Sequence, residues 1–79
     1  MQDKTYVITE IVGVSEHSIS QAVANAVVRA DKTLKALDWF EVKEVRGTIT
    51  DGKLGQYQVT LDVGFRYLTD DEMRAWVRE

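Results

Sequence analysis

The stretch LDWFEVKEVRGTI, residues 37–49, decides the fold of this chain. Its β-branched and aromatic residues favour a strand, because such side chains suit a pleated, half-buried surface. The alternation is broken, however, since Phe40 and Val42 share one parity whereas Val45 and Ile49 share the other. Side chains along a strand alternate with a period of two, so a strand that faces one core must keep its parity. The two halves of the stretch therefore match one core only if an extra residue lies between them.

We predict that this extra residue forms a β-bulge near Lys43 or Glu44. With the bulge in place, the apolar side chains of the stretch face the predicted helix and the remaining ones face away from it. The first set is Phe40, Val42, Val45 and Ile49, and the second set is Trp39, Glu41, Arg46 and Thr48.

A hairpin brings a third strand beside this stretch. DGK at residues 51–53 is a turn signal, and clean alternation of apolar and polar residues follows it. One face carries Tyr57, Val59, Leu61, Val63 and Phe65, and the other carries Gln56, Gln58, Thr60, Asp62, Gly64 and Arg66. This pattern indicates a strand that packs one face on the core.

The loop of this hairpin is predicted to hold three residues, so that Thr50 pairs with Leu54. That register places Val45 opposite Val59, apolar against apolar. A two-residue loop would instead pair Val45 with Gln58 and mix the two faces. In the preferred register, the face away from the helix carries an aromatic plate, a cation and an amide near one another. Its members are Trp39, Thr48, Thr60, and Arg46 directly opposite Gln58.

A strand and a helix precede the hairpin. YVITEIV at residues 6–12 indicates the first strand, which we expect Gly13 to end. Ser18 and Gln21 match a capping box at the start of a helix of about five turns. Its apolar stripe is Ile19, Val23, Ala26, Val27, Ala30, Leu34 and Leu37. The pattern as a whole predicts a small α+β domain.

The tail at residues 69–79 opens with a second capping box, from Thr69 to Glu72, and predicts a short C-terminal helix. A helix this short is marginal alone, so we expect it to dock on its own or a neighbouring subunit. We divide the chain into one domain at residues 1–68 and a C-terminal helical extension at residues 69–79.

Length and composition narrow the class of protein. The chain has 79 residues, no cysteine and one histidine, which excludes disulfides, thiolate metal sites and a histidine-rich site within one chain. A core this small usually needs further stabilisation by a disulfide, a metal or a partner subunit, and oligomerisation is the option that remains. The net charge of −3 and the lack of a long apolar run argue against nucleic-acid and membrane partners. Because the first residues lack a signal-peptide pattern, we expect a cytoplasmic protein.

Each candidate binding residue also has a purely structural interpretation. A lone strand tryptophan such as Trp39 is usually a core or interface residue, but its indole is also a rigid platform for a planar ligand. Gln58 can donate and accept hydrogen bonds at once, as the edge of a heterocycle requires. Arg46 and Arg66 are either solvated strand cations or clamps for a ring or a phosphate. No nucleophile elbow, phosphate-binding loop or metal-ligand spacing points to catalysis.

Several motifs together resemble the dodecin family over about residues 4–68. They are EIVGVS at 10–15, LDWFEV at 37–42, RGTI at 46–49, YQV at 57–59 and VGFR at 63–66. The resemblance implies a β-α-β-β subunit whose three-stranded antiparallel sheet wraps around one long helix. It also implies a hollow homododecamer built from trimers, with flavins held in pairs between subunits.

By the same resemblance, Trp39 stacks on the isoalloxazine ring of the flavin and Gln58 reaches its polar edge. Arg46 stands where bacterial-type members carry an arginine that is linked with binding FMN as well as riboflavin. Thr48 and Arg66 complete the predicted flavin-binding set. FAD and other isoalloxazines are further candidate ligands.

Coenzyme A is another candidate ligand that the resemblance implies. Its candidate contacts here are Lys4, Tyr6, Arg29 and Arg66. The tail departs from the family pattern, since members commonly end soon after the VGFR run.

We therefore hypothesise a flavin storage and buffering protein, not an enzyme, that quenches bound flavin and limits photodamage. Photoexcited flavin is a strong oxidant, and a touching indole can donate an electron and recover it. Two alternatives stay open: a structural or interaction oligomer without flavin, and a flavin-dependent redox enzyme.

Overall fold

The computed structural model describes residues 4–67, which form one helix and one three-stranded antiparallel sheet. The elements are β1 at Tyr6–Ser15, α1 at Ile19–Asp31, β2 at Leu37–Thr50 and β3 at Lys53–Arg66. The strand order is β1-β3-β2, so the last strand lies in the centre of the sheet. The predicted α+β class and β-α-β-β order are confirmed. The predicted C-terminal helix lies outside the described residues, and the dodecamer stays a prediction.

Helix α1 packs on β1 and β3 through small residues. Ala22, Ala26 and Ala30 are buried on the helix side that faces the sheet. A Cβ atom at Gly13 would collide with the Ala22 carbonyl oxygen and lie 2.8 Å from the Ala26 Cβ. Gly13 therefore permits the close approach of α1 instead of ending the strand, and the expected end of β1 at this glycine was wrong. The strand continues to Ser15, whose side chain is buried.

The start of α1 confirms half of the predicted capping box. The Ser18 Oγ accepts a hydrogen bond from the Gln21 backbone N–H at 3.0 Å. The reciprocal bond is absent within residues 4–67, because the Gln21 side-chain amide donates to Asn25 Oδ1 at 2.7 Å instead. The Ser18 backbone N–H donates to the Ser15 Oγ at 3.4 Å. A residue of the preceding strand thus replaces the expected partner.

The helix is shorter than the apolar stripe predicts. It has 13 residues and ends at Asp31, so Leu34 and Leu37 lie outside it. Ala36 has a φ of 57°, which reverses the chain direction, and its carbonyl oxygen accepts from the Arg66 N–H at 3.1 Å. Leu37 already belongs to β2, where it pairs with Phe65. Pairing with β3 therefore overrides a helical periodicity that continues in the sequence.

The predicted bulge in β2 is confirmed. Val42 pairs with Leu61 and Glu44 pairs with Thr60, so Lys43 is the extra residue. A second irregularity in the same strand leaves Asp38 without a partner in the register with β3.

The predicted three-residue hairpin loop was wrong. Thr50 pairs with Lys53, and the turn holds only Asp51 and Gly52. Their φ angles of 54° and 77° suit a type I′ turn, whose twist matches the flanking strands.

The predicted pairing of Val45 with Val59 nevertheless holds. Ile49 pairs with Leu54 and Gly47 with Tyr57, so β3 carries an extra residue at this point. That second bulge cancels the one-residue difference in the loop. The faces of β2 and β3 are therefore as parity predicts, but the extra residue lies in β3 and not in the turn.

The apolar side chains of β2 lie on the helix side of the sheet, but the helix does not cover them. The cross-strand partners of Phe40, Val42 and Val45 are almost fully buried, and they are Val63, Leu61 and Val59. The side chains of β2 themselves are exposed: Phe40 51%, Val42 43%, Val45 46% and Ile49 72%. A helix is about 10 Å wide and strands lie about 4.8 Å apart, so one helix covers about two strands. The predicted face of these residues is therefore confirmed, although α1 leaves much of their surface uncovered.

Candidate functional site

Trp39 lies across the central strand β3 near the C-terminal end of that strand, on the face away from α1. It pairs with Gly64 of β3, and a Cβ atom at that glycine would collide with the indole ring. The missing side chain thus makes a seat for the indole directly over the β3 backbone. Because 39% of Trp39 is still exposed, the ring has a supported side and an open side.

Tyr6 and Asp38 complete the surroundings of the indole. The Tyr6 and Trp39 rings are nearly parallel, with centroids 6.5 Å apart and an interplanar angle of 15°. The Tyr6 hydroxyl donates to Asp38 Oδ2 at 2.6 Å, and this hydrogen bond raises the pKa of Tyr6 above its ordinary value. We call Tyr6, Asp38, Trp39 and Gly64 the aromatic seat.

Arg46 and Gln58 form a second cluster on the same face. They are cross-strand partners, as the sequence predicts, and the Arg46 Nε donates to the Gln58 Oε1 at 3.1 Å. The guanidinium retains further N–H donors, and the Gln58 amide nitrogen carries two more. We call these two residues the amide–guanidinium pair. It presents donors and an acceptor side by side on an exposed surface.

The other two predicted binding residues have different surroundings. The Thr48 hydroxyl accepts from the Gln56 backbone N–H at 2.8 Å, so it stabilises the bulge in β3. Arg66 pairs with Tyr6 at the other end of the sheet and is half-buried. The flavin-binding roles of both residues stay predictions.

The aromatic seat and the amide–guanidinium pair are far apart within one chain. Gly64 and Gln58 are separated by six positions along β3. At about 3.4 Å per residue, this separation is about 20 Å. The expectation that Trp39, Arg46 and Gln58 lie near one another was therefore wrong for a single chain. Parity assigns side chains to a face, but it does not say how far apart they lie along the strand.

Acidic residues occupy the sheet between the two clusters. Glu10, Asp62 and Glu41 are neighbours across the three strands, and Lys43 approaches Asp62 at 3.8 Å. Among residues 4–67, no group of three histidine, cysteine or acidic side chains is arranged to hold a metal ion. In the same part of the chain, no helix has the length and apolar character needed to cross a membrane.

Sequence reasoning missed the aromatic seat, apart from Trp39 itself. Tyr6 is 32 residues from Asp38 in the sequence, so no local spacing links them. The two come together because β1 and β2 both pair with β3, and because the Trp39 ring crosses the strand at Gly64. Asp38 was not among the candidate binding residues, and the structure shows it to be a bulge residue of β2.

The contact between the Trp39 indole and Gly64 predicts the effect of Gly64→Ala. The substitution is made in a Trp76→Phe background, where Trp39 is the remaining tryptophan. The new methyl group should push the indole off β3, and overpacking of this kind typically costs about 1–3 kcal/mol. We expect a red-shifted Trp39 emission and a lower melting temperature. Gly47→Ala is the matched control for the Trp39 emission, because its Cβ would contact only the Gln56 backbone and not the indole. An unchanged emission in Gly64→Ala would contradict the seat.

Comparisons with known proteins agree on one family. The dodecin family model matches residues 5–68. A curated dodecin from Thermus thermophilus is 54% identical over 63 residues, which cover 80% of this chain and 91% of that protein. The solved dodecin from Streptomyces davaonensis superposes with a TM-score of 0.83 at 48% identity, covering 86% of this chain and all of that one (100%).

A more distant solved structure is described as a calcium-chelating dodecin with a novel calcium-binding site. It comes from Mycobacterium tuberculosis and is 30% identical to this chain, with a TM-score of 0.71. The match covers 84% of this chain and 94% of that one. The fold is thus shared with a protein whose described ligand is calcium.

Proposed function

Because this chain belongs to the dodecin family, we propose that it is a homo-oligomeric protein that stores FMN or riboflavin and quenches their photochemistry. The observation that carries the proposal is the seated indole of Trp39, supported by Gly64 on one side and open on the other. A planar three-ring heterocycle stacks well on such a surface, because indole offers a large and rigid π-face. In this proposal the protein binds and releases flavin and is not an enzyme.

Two copies of the chain are needed to build one flavin site in this proposal. The separation of about 20 Å along the strands is longer than a three-ring system, so one isoalloxazine cannot touch both clusters of one chain. We infer that Trp39 of one copy and the amide–guanidinium pair of another copy enclose the same ring. A two-fold axis creates two such sites at once, since each contact is repeated in reverse.

The uncovered apolar side chains of β2 support assembly. Phe40, Val42 and Val45 form a contiguous exposed set on the helix side of the sheet. Patches of this kind commonly mark protein–protein interfaces. A second copy that covers them would supply the burial that a single chain lacks, and a hollow dodecamer built from trimers is the assembly that we propose.

The polar groups of the amide–guanidinium pair suit the edge of a flavin. The Gln58 amide can donate and accept toward the paired polar atoms of the pyrimidine ring. Arg46 can hydrogen-bond to the ring or bind the FMN phosphate, because its guanidinium presents several donors in one plane. Thr48 and Arg66 stay predicted contacts. Coenzyme A stays a candidate for the end of the sheet where Tyr6 and Arg66 pair.

Quenching follows from the stacked geometry. In our proposal, Trp39 gives one electron to the photoexcited flavin and then recovers it, so the excitation energy is released without lasting chemistry. The storage role requires only that binding is reversible. A cytoplasmic location also stays a prediction.

Size-exclusion chromatography with light scattering, monitored at flavin wavelengths, tests assembly and binding together. We expect a closed particle of about twelve chains that carries added FMN and suppresses its fluorescence. A colourless protein that leaves FMN fluorescence unchanged would refute the flavin proposal and favour the structural oligomer. NADH oxidation that depends on both protein and flavin would instead favour a redox enzyme.

A further inference from the structure

The aromatic seat contains a second oxidisable ring beside Trp39. The Tyr6 ring lies 6.5 Å from the indole, centroid to centroid, and is inclined by only 15°. This spacing lies within the range of interacting aromatic pairs. The Tyr6 hydroxyl donates a 2.6 Å hydrogen bond to Asp38, the residue that precedes Trp39 in the chain. The phenol therefore contacts both an indole and a proton acceptor.

We propose that Tyr6 and Asp38 form a relay that reduces Trp39 after it has lost an electron. This inference rests on the proposed flavin function for the oxidant, which is a photoexcited isoalloxazine. It goes beyond that function, because it assigns a repair path to residues that need not touch the ligand. The relay keeps the stacking residue intact when the electron does not return directly.

The relay is balanced in electrons and protons. Trp39 loses one electron to the photoexcited isoalloxazine, and Tyr6 then gives one electron to the oxidised indole. As it does so, the Tyr6 O–H bond breaks, and its proton forms a new O–H bond on Asp38 Oδ2. Tyr6 later regains the electron from the flavin and the proton from Asp38. No other oxidant or reductant is consumed.

The hydrogen bond explains why Asp38 belongs to the relay. Loss of an electron turns a phenol into a strong acid, so a phenol is oxidised more easily when its O–H is already hydrogen-bonded to a base that can take the proton. The carboxylate of Asp38 also raises the pKa of Tyr6, which keeps the phenol protonated before oxidation. The Arg66 charge acts in the opposite direction on the pKa of Tyr6, but it is a smaller contribution.

The other tyrosines of the described chain are poorly placed for this role. Tyr57 pairs with Gly47 and Ser15, on the helix side of the sheet and near the opposite end of β3. Tyr67 follows β3 and is 71% exposed. Among residues 4–67, Tyr6 is the tyrosine that makes a ring contact with Trp39. Tyr57 therefore provides a matched control.

Pulse radiolysis with the azide radical tests the relay without any flavin. All variants carry Trp76→Phe, so that Trp39 is the remaining indole. We expect the indolyl radical to decay as a tyrosyl radical grows, at a rate independent of protein concentration. Tyr6→Phe and Asp38→Asn should each slow this decay at least about tenfold, whereas Tyr57→Phe should leave it unchanged. Trp39→Phe measures direct oxidation of the tyrosines.

The outcomes separate the relay from the flavin proposal. An indolyl decay that is the same in Tyr6→Phe and in the parent protein would overturn the relay, whether or not flavin binds. If flavin fails to bind while the radical still moves from Trp39 to Tyr6, the relay stands and the flavin function falls. If Tyr6→Phe does not fold, Asp38→Asn decides, since its side chain can accept the hydrogen bond but not the proton. An unchanged decay in Asp38→Asn would exclude Asp38 as the acceptor.

Discussion

Trp39→Ala should weaken FMN binding by about 10- to 100-fold and restore the emission of any flavin that remains bound. Stacking of a planar base on an aromatic side chain is worth about 1–3 kcal/mol by alanine substitution, and each 1.4 kcal/mol is a factor of about ten in affinity. Because the ring rests on Gly64 with its other side open, alanine would leave a shallow gap at this point of the sheet. Fluorescence titration of FMN measures both the affinity and the quenching.

Two further variants make the result specific to the indole. Trp39→Phe keeps a smaller ring on the same seat, so we expect intermediate affinity and weaker quenching. Trp76→Phe changes the other tryptophan of the chain and should leave both quantities unchanged. Equal affinities for the parent protein and Trp39→Ala would show that flavin, if it binds, does so elsewhere.

The faces of the sheet could be predicted from the sequence, because parity is a local property. The broken alternation between Val42 and Val45 required an extra residue, and Lys43 is that residue. The turn was mispredicted for a related reason. A shorter loop and a bulge in β3 leave the pairing of Val45 with Val59 unchanged, so the pairing alone does not distinguish the two arrangements.

Parity does not predict how much of β2 the helix covers, or how far apart two side chains on the same face lie. The sequence marks Phe40 and Val42 as apolar, but it does not say that α1 is too narrow to reach them. Parity likewise puts Trp39 and Gln58 on one face and is silent about the six positions that separate their rows. The Tyr6–Asp38 hydrogen bond depends on a register across the whole sheet, so no spacing in the sequence indicates it.

The long separation of the two clusters has a direct test in mixed oligomers. One variant, Trp39→Ala, lacks the stacking ring, and the other, Arg46→Ala with Gln58→Ala, lacks the amide–guanidinium pair. If a site takes each cluster from a different copy, random mixing in equal amounts should leave about one quarter of the sites intact, because about half of the copies supply an intact Trp39 and about half supply an intact amide–guanidinium pair. If a site takes both clusters from one chain, no mixed assembly contains an intact site.

The mixture is prepared by refolding the two variants together from denaturant, and the tight FMN sites per chain are then counted by titration. Each variant refolded alone, and the two refolded separately and then combined, are the controls. We expect tight, quenched sites in the co-refolded sample alone, since only there can copies of the two kinds share an assembly. In the control, Gly47→Ala replaces the double substitution. Because this variant keeps Arg46 and Gln58, co-refolding it with Trp39→Ala should give no more tight sites than combining the two after separate refolding. A co-refolded sample that matches the combined controls would mean that one chain supplies the whole site, and the sheet would then have to bend so that Trp39 and Gln58 reach the same ring.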